Sequence, residues 1–146
     1  MSLAGADFPL PDLDWEPTRP FWQGAARGEL CLPRCAACAT WIWYPKETCP
    51  ACGAAELAWE KLCGRATLFS FVVVRHAFLP QYRDLIPFVA ALVVPEEAPA
   101  VRLTTRLIDC DPEQLKIEMP LEVVFAPLEF AGAEGSVPAP LFRPAS

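Results

Sequence analysis

Cys35-Ala36-Ala37-Cys38, then ten residues, then Cys49-Pro50-Ala51-Cys52-Gly53, is the stretch that decides the fold. Two C-x-x-C pairs this close bring four thiolates to one tetrahedral ion. Zinc is the default occupant of such a cage. Pro50 fixes one φ angle of the second turn, and Gly53 tolerates the positive φ just beyond it. Ala39 holds the equivalent place after the first pair, so the first knuckle is the less ideal copy. Backbone N–H groups in such a turn point at the sulfurs and stabilise their charge. Cys35, Cys38, Cys49 and Cys52 are therefore the expected metal ligands, in a closed cage with no open position for substrate. A redox C-x-x-C would open the helix of a βαβ unit, and these flanks do not read that way.

Between the knuckles lies Thr40-Trp41-Ile42-Trp43-Tyr44-Pro45. Alternation puts Trp41 and Trp43 on one face and Ile42 and Tyr44 on the other. A metal ribbon of about twenty residues has almost no interior. At least one of these faces must press on the neighbouring domain or on another chain. All five tryptophans fall at or before Trp59, a concentration that favours an interface.

Upstream, residues 1–17 read as an extended arm. Thr18 offers an N-cap and Pro20 a first turn for a short helix that carries Phe21, Trp22 and Ala25 on one face. Gly28 is the expected stop. A helix this short must lie on something apolar, either its own domain or a partner. Glu29–Arg34 alternates as a strand leading into the first knuckle.

Downstream, Cys63-Gly64-Arg65 breaks the pattern, and Ala66–Arg75 follows as a long β-prone run with both faces largely apolar. A strand buried on both faces suits the first, bent strand of a small closed barrel. Further strands are expected at Phe88–Val94, Val101–Ile108, Leu121–Phe125 and near Ala139–Arg143. Asp111-Pro112-Glu113-Gln114 makes a compact helix start after the third of these five strands. That layout is an OB-fold. The expected fold is mainly β: residues 1–34 as arm and helix, 35–60 as zinc ribbon, and 61–146 as a five-stranded OB barrel.

Composition narrows the function. A hydrophobic share of 53% fills a core, and 17 prolines argue for short strands rather than a helical bundle. The net charge of −6 opposes sequence-independent nucleic-acid binding. Residues 66–146 carry six bases and ten acids, so the barrel lacks the basic groove that a nucleic-acid module needs. The longest apolar runs, Leu68–Val74 and Pro87–Pro95, are too short to span a bilayer. Nothing in residues 1–18 resembles a signal peptide. Seven cysteines, four of them assigned to metal, point to a reducing cytoplasm.

With knuckles and barrel placed, the chain resembles a known family over about residues 18–145. These are small acyl-CoA-associated proteins that join a rubredoxin-like zinc ribbon to an OB-fold, formerly grouped as a domain of unknown function. The matching residues are Pro20-Phe21-Trp22, Gly28-Glu29-Leu30, Cys35-x-x-Cys38, Tyr44-Pro45 and Cys49-Pro50-x-Cys52-Gly53. Trp59, Gly64-Arg65-Ala66-Thr67, Pro87-Phe88-Val89 and Phe142-Arg143-Pro144 complete the set. Ala66 departs from a usual second Gly, and Cys63 from a common Ser.

The resemblance implies a non-catalytic accessory subunit that scaffolds a thiolase-superfamily enzyme, a MaoC-type hydratase or an aldolase. It also implies a groove for coenzyme A on the barrel, and protein contacts by ribbon and helix. Coenzyme A needs cations for its phosphates. Lys46, Arg65 and Arg75 are the candidates nearest the ribbon–barrel junction, with Lys61 beside them. Phe69 and Phe71 are candidates to line a channel for the pantetheine arm. The alternatives are a zinc-ribbon/OB nucleic-acid-binding module, which the charge disfavours, and a stand-alone acyl-CoA enzyme. The enzyme would need His76, the only histidine, beside Cys31, Cys63 or Cys110. Nothing in the sequence requires that pairing, and the acids Asp109, Asp111 and Glu113 read as a solvated helix cap.

Overall fold

The structure, a computed structural model, describes residues 10–130 and 133–146; most of the expected N-terminal arm lies outside them. The first element is helix α1 (Arg19–Ala26), with Pro20 in its first turn. Thr18 precedes it as expected, but its hydroxyl makes no cap. It donates instead to the Trp15 carbonyl at 3.4 Å. The helix ends where Gly28 predicts: Gly28 N–H donates to the Ala25 carbonyl and Glu29 N–H to the Gly24 carbonyl. The buried Gly24 and Ala25 let α1 pack against its own chain.

Strands β1 (Leu30–Cys35) and β2 (Leu57–Leu62) form an antiparallel hairpin that holds both knuckles in its long loop. The register runs from Leu30 opposite Leu62 to Cys35 opposite Leu57. Five more strands follow: β3 (Arg65–Val74), β4 (Phe88–Pro95), β5 (Leu103–Leu107), β6 (Pro120–Glu129) and β7 (Ser136–Pro144). They close in the order β3-β4-β5-β7-β6. Arg65, Ala66 and Thr67 of β3 pair with Glu122, Leu121 and Pro120 of β6 to shut the barrel. The contact between β5 and β7, at Leu107 and Phe142, is the parallel one. This is the expected OB-fold. The helix after its third strand is a single 3₁₀ turn, Pro112–Gln114. Glu113 N–H donates to the Asp111 carboxylate there at 3.0 Å.

The reading of β3 as buried on both faces is corrected. Ala66 and Leu68 point inward, then the register slips between Leu68 and Ser70. Past that bulge, Phe71 and Val73 are the residues that pack on the core. Phe69 and Val72 face outward and are 47% and 57% exposed. A closed barrel needs only one apolar face per strand, and no described helix covers the other. The Arg102 guanidinium caps the Phe69 ring at 4.3 Å.

Hairpin and barrel share one core. Leu30, Leu32 and Leu62 cluster with Leu68, Val93, Leu121 and Phe142, all nearly inaccessible. Each such leucine contributes about 2 kcal/mol by burial. Trp41, Trp43 and Phe21 pack against the same cluster. The indole face between the knuckles therefore presses on the core that hairpin and barrel share. Ile42 points the other way into the ribbon, and Tyr44 is exposed.

The turn into β3 is tightly held. Gly64 has φ +88°, and a Cβ there would lie 2.6 Å from Val123 Cγ1. Gly64→Ala is expected to destabilise the protein by about 2–4 kcal/mol, from backbone strain and overpacking together. Urea unfolding measures the loss, and zinc content should stay unchanged.

Candidate functional site

The two knuckles are near copies in hydrogen bonding. Ala39 N–H donates to the Cys35 carbonyl at 2.9 Å, and Gly53 N–H to the Cys49 carbonyl at 2.9 Å. Cys35 N–H donates to the Thr40 carbonyl, and Cys49 N–H to the Ala54 carbonyl. Ala39 and Gly53 both take positive φ, 62° and 78°. The first knuckle thus adopts the conformation of the second in spite of its Cβ.

This repetition brings the four sulfurs together, all within 4.8 Å of one another. Cys35 Sγ lies 3.6 Å from Cys52 Sγ, and Cys38 Sγ 3.7 Å from Cys49 Sγ. A metal–sulfur bond of about 2.3 Å in a tetrahedron puts neighbouring sulfurs about 3.8 Å apart. The donor set and its spacing therefore fit zinc. Cys35 and Cys49 are buried beside Ile42, and Cys38 and Cys52 are exposed. Backbone N–H groups of Cys38 and Ala51 point at Cys35 Sγ and Cys49 Sγ, at 3.5 and 3.4 Å. These are the charge-stabilising donors expected of a zinc knuckle.

Thr40 is a participant that spacing alone did not single out. Its hydroxyl meets Cys38 Sγ at 3.1 Å. Hydrogen bonds from the Thr40 side chain and backbone draw the Cys38 thiol down to about 6. At Cys52 the Ala54 N–H lowers the pKa, but hydrogen bonds with the Cys35 and Cys38 sulfurs outweigh it and push the thiol up to about 12. A hydroxyl two residues past the second cysteine was the signal available in the sequence.

The candidate coenzyme A contacts do not converge. Lys46 lines a cleft of about 480 Å³ with Trp15, Pro17 and Leu57. Arg65 lines another, of about 490 Å³, with Val94, Pro95 and Leu121. Arg75 follows the far end of β3, about 30 Å of strand from Arg65, and pairs with Glu113 at 3.8 Å. Lys61 sits in β2 opposite Cys31. Phe71 packs on the core and Phe69 faces solvent, so the two do not line one channel.

The spare thiols are not poised as nucleophiles. Burial, then the Glu29 carboxylate, raises Cys31. Burial likewise leads the rise at Cys110, helped by Asp109 and Asp111. Cys63 is raised by burial and by its contacts with Glu96 and Glu97, each 3.3 Å from its sulfur. His76 is exposed and packs edge-on against Phe78 at 4.6 Å. A reactive cysteine needs the opposite shift.

Three outcomes follow from the metal geometry. One zinc per chain is expected by elemental analysis, and Cys49→Ala should lose it. Ala39→Gly should raise the stability of the zinc-loaded protein by about 0.5–1 kcal/mol, because it relieves the left-handed alanine. Protons compete with the metal for thiolate, so zinc affinity should fall as pH falls. A colorimetric chelator run across pH reads that slope.

Comparison with known proteins agrees with this architecture. Residues 22–58 match the ChsH2 rubredoxin-like zinc ribbon domain, and residues 59–126 match the ChsH2 C-terminal OB-fold domain. The chain is 32% identical over 126 residues to a protein of Thermomonospora curvata described as a probable enoyl-CoA hydratase alpha subunit. That match covers 86% of this chain but 37% of the relative, so the chain spans little more than a third of that protein. It is 31% identical over 105 residues to a DUF35 domain-containing scaffold protein of Methanocaldococcus jannaschii, covering 71% of this chain and 72% of the other. Among solved structures, a chain of the Ltp2-ChsH2(DUF35) aldolase superposes with a TM-score of 0.78 at 28% identity, covering 94% of this chain and 100% of that one. A DUF35 structure from Sulfolobus solfataricus, at TM-score 0.59 and 13% identity, covers 77% and 81% and supports the fold. Taken with the four-sulfur cluster and the closed barrel, these matches place the chain in the DUF35 family, whose ChsH2-type members join a rubredoxin-like zinc ribbon to an OB-fold.

Proposed function

We propose that this chain is a non-catalytic accessory subunit that scaffolds an acyl-CoA enzyme, a thiolase-superfamily aldolase or a MaoC-type hydratase. The observation that carries the reading is the likeness to a chain of the Ltp2-ChsH2(DUF35) aldolase over 94% of this chain. The scaffold proteins and the hydratase subunit among its relatives point the same way. The state of the spare thiols supports a chain without its own nucleophile. Seven cysteines with no disulfide among them suit a reducing compartment, and we place the protein in the cytoplasm on that ground. None of the described helices is long and apolar enough to cross a membrane.

The coenzyme A part of the reading takes a specific form. Lys46 and Arg65 each bring one cation to a separate cleft, and Arg75 already has an acid partner. One cation does not hold a diphosphate and a further phosphate. On this reading acyl-CoA is gripped between this chain and its partner, with Lys46 or Arg65 contributing one cation and the partner outweighing the Glu side chains that line both clefts.

Co-expression with the thiolase-like or hydratase chain encoded nearest to it tests the scaffold. A stable complex on size exclusion, with raised partner stability or activity, is expected. No complex and no change in the partner would overturn it. By calorimetry, the isolated chain should bind coenzyme A more weakly than about 1 mM, and the complex at least about tenfold more tightly. Equal affinities would refute the shared grip.

A further inference from the structure

The outer face of β3, β4 and β5 combines apolar side chains with one cation that has no ion-pair partner among the described residues. Register sets Ser70, Val72 and Val74 beside Leu92, Ala90 and Phe88. It then sets Ala90 and Leu92 beside Arg106 and Thr104. Their inward neighbours, among them Val89, Ala91 and Leu107, fill the core. Helix α1 packs on β1 and β7, and Tyr82 stacks on Phe88 at 5.9 Å to cover one end of the face, while Val72 in its middle is 57% exposed. The surface is dimpled: a depression of about 260 Å³ lies by Val72 and Leu92, and one of about 560 Å³ by Phe88, Arg106 and Ile108.

Arg106 is the anomaly. It is half-buried, and no described residue pairs or hydrogen-bonds with its guanidinium. Arg65 and Arg83 also lack a recorded partner, but both are exposed and stay hydrated. Burial holds the Arg106 pKa below its ordinary value. Its nitrogens still reach water, so the side chain is free to exchange that water for a carboxylate of another chain.

We propose that this face docks a partner protein that presents one Asp or Glu carboxylate to Arg106 from within an apolar surround. The proposal rests on the accessory-subunit reading and names the surface that reading requires. Arginine set in apolar surroundings is the charged residue favoured at the centre of protein interfaces. A nucleotide is the poorer fit: Asp84 and Asp109 also line the larger depression, and they repel a polyanion more strongly than a single carboxylate. A second copy is poorer still, since a two-fold contact centred here sets one Arg106 near the other.

The test uses the full chain with its co-expressed partner enzyme. Arg106→Glu should weaken the complex at least about 30-fold and Val72→Asp about tenfold, with Arg106→Lys between wild type and Arg106→Glu. Lys116→Glu, the same charge change on an exposed loop, should stay within about twofold. Melting and zinc content of each free variant check folding. Should Arg106→Glu fail to fold, Val72→Asp and hydrogen exchange decide. In the wild-type complex, exchange should slow in residues 70–74, 88–92 and 104–108. A cross-linker at Val72 identifies the facing carboxylate, and its change to Lys should restore binding to Arg106→Glu.

If the complex forms with unchanged affinity in these variants, or protects other strands, this inference falls and the accessory reading stands. No complex at all overturns both. Protection of the face by coenzyme A alone, or an Arg106-dependent dimer of this chain, overturns the inference in favour of those occupants.

Discussion

Four sulfurs held within 4.8 Å of one another are favourable as thiolates only around a shared cation. That constraint fixes the loop between β1 and β2. It places Cys35 and Cys49 under Ile42 and turns Trp41 and Trp43 to the opposite side. Without it, the loop has too few apolar residues of its own to hold a shape. The strain of a left-handed Ala39 is accepted because the sulfurs must converge.

The metal loop organises a small volume, but the hairpin beneath it belongs to the barrel. Leu30, Leu32 and Leu62 complete a core that also holds Leu68, Leu121 and Phe142. Ribbon and barrel are therefore coupled by packing rather than joined by a tether. Gly64 makes the turn between them and has no room for a side chain against Val123. A protein built this way presents its outer surfaces in fixed relation to one another. That suits a scaffold better than a pair of independently moving modules.

Charge separates the surfaces in turn. Most arginines near acids are paired: Arg27 with Glu29, Arg34 with Glu60, Arg143 with Glu122. Such exposed pairs add little stability. The cations without partners carry more information about function, and they are dispersed rather than gathered. This dispersal shifts the weight of the functional reading from a self-contained ligand pocket to contacts that another chain completes.

The metal ligands, the Gly28 helix stop, the five barrel strands and the OB order were legible in the residues, because each rests on local spacing or period. The bulge at Phe69 was not, since an extra residue in one strand is defined only by its neighbour. That bulge exposed Val72, and with it a face that alternation had assigned to the interior. The destination of Trp41 and Trp43 was open for the same reason: a strand's alternation says which side chains travel together, not what they meet. Lys46, Arg65 and Arg75 were grouped by nearness to the ribbon–barrel junction along the chain, and chain order does not set their distance in space. Cysteine spacing and hydrophobic period marked the metal ligands and the barrel strands, but β2 (Leu57–Leu62) was missed, because only its pairing with β1 shows it as a strand. Which cations share a surface and which apolar side chains stay exposed came only with the fold, because both depend on contacts between residues far apart in the chain.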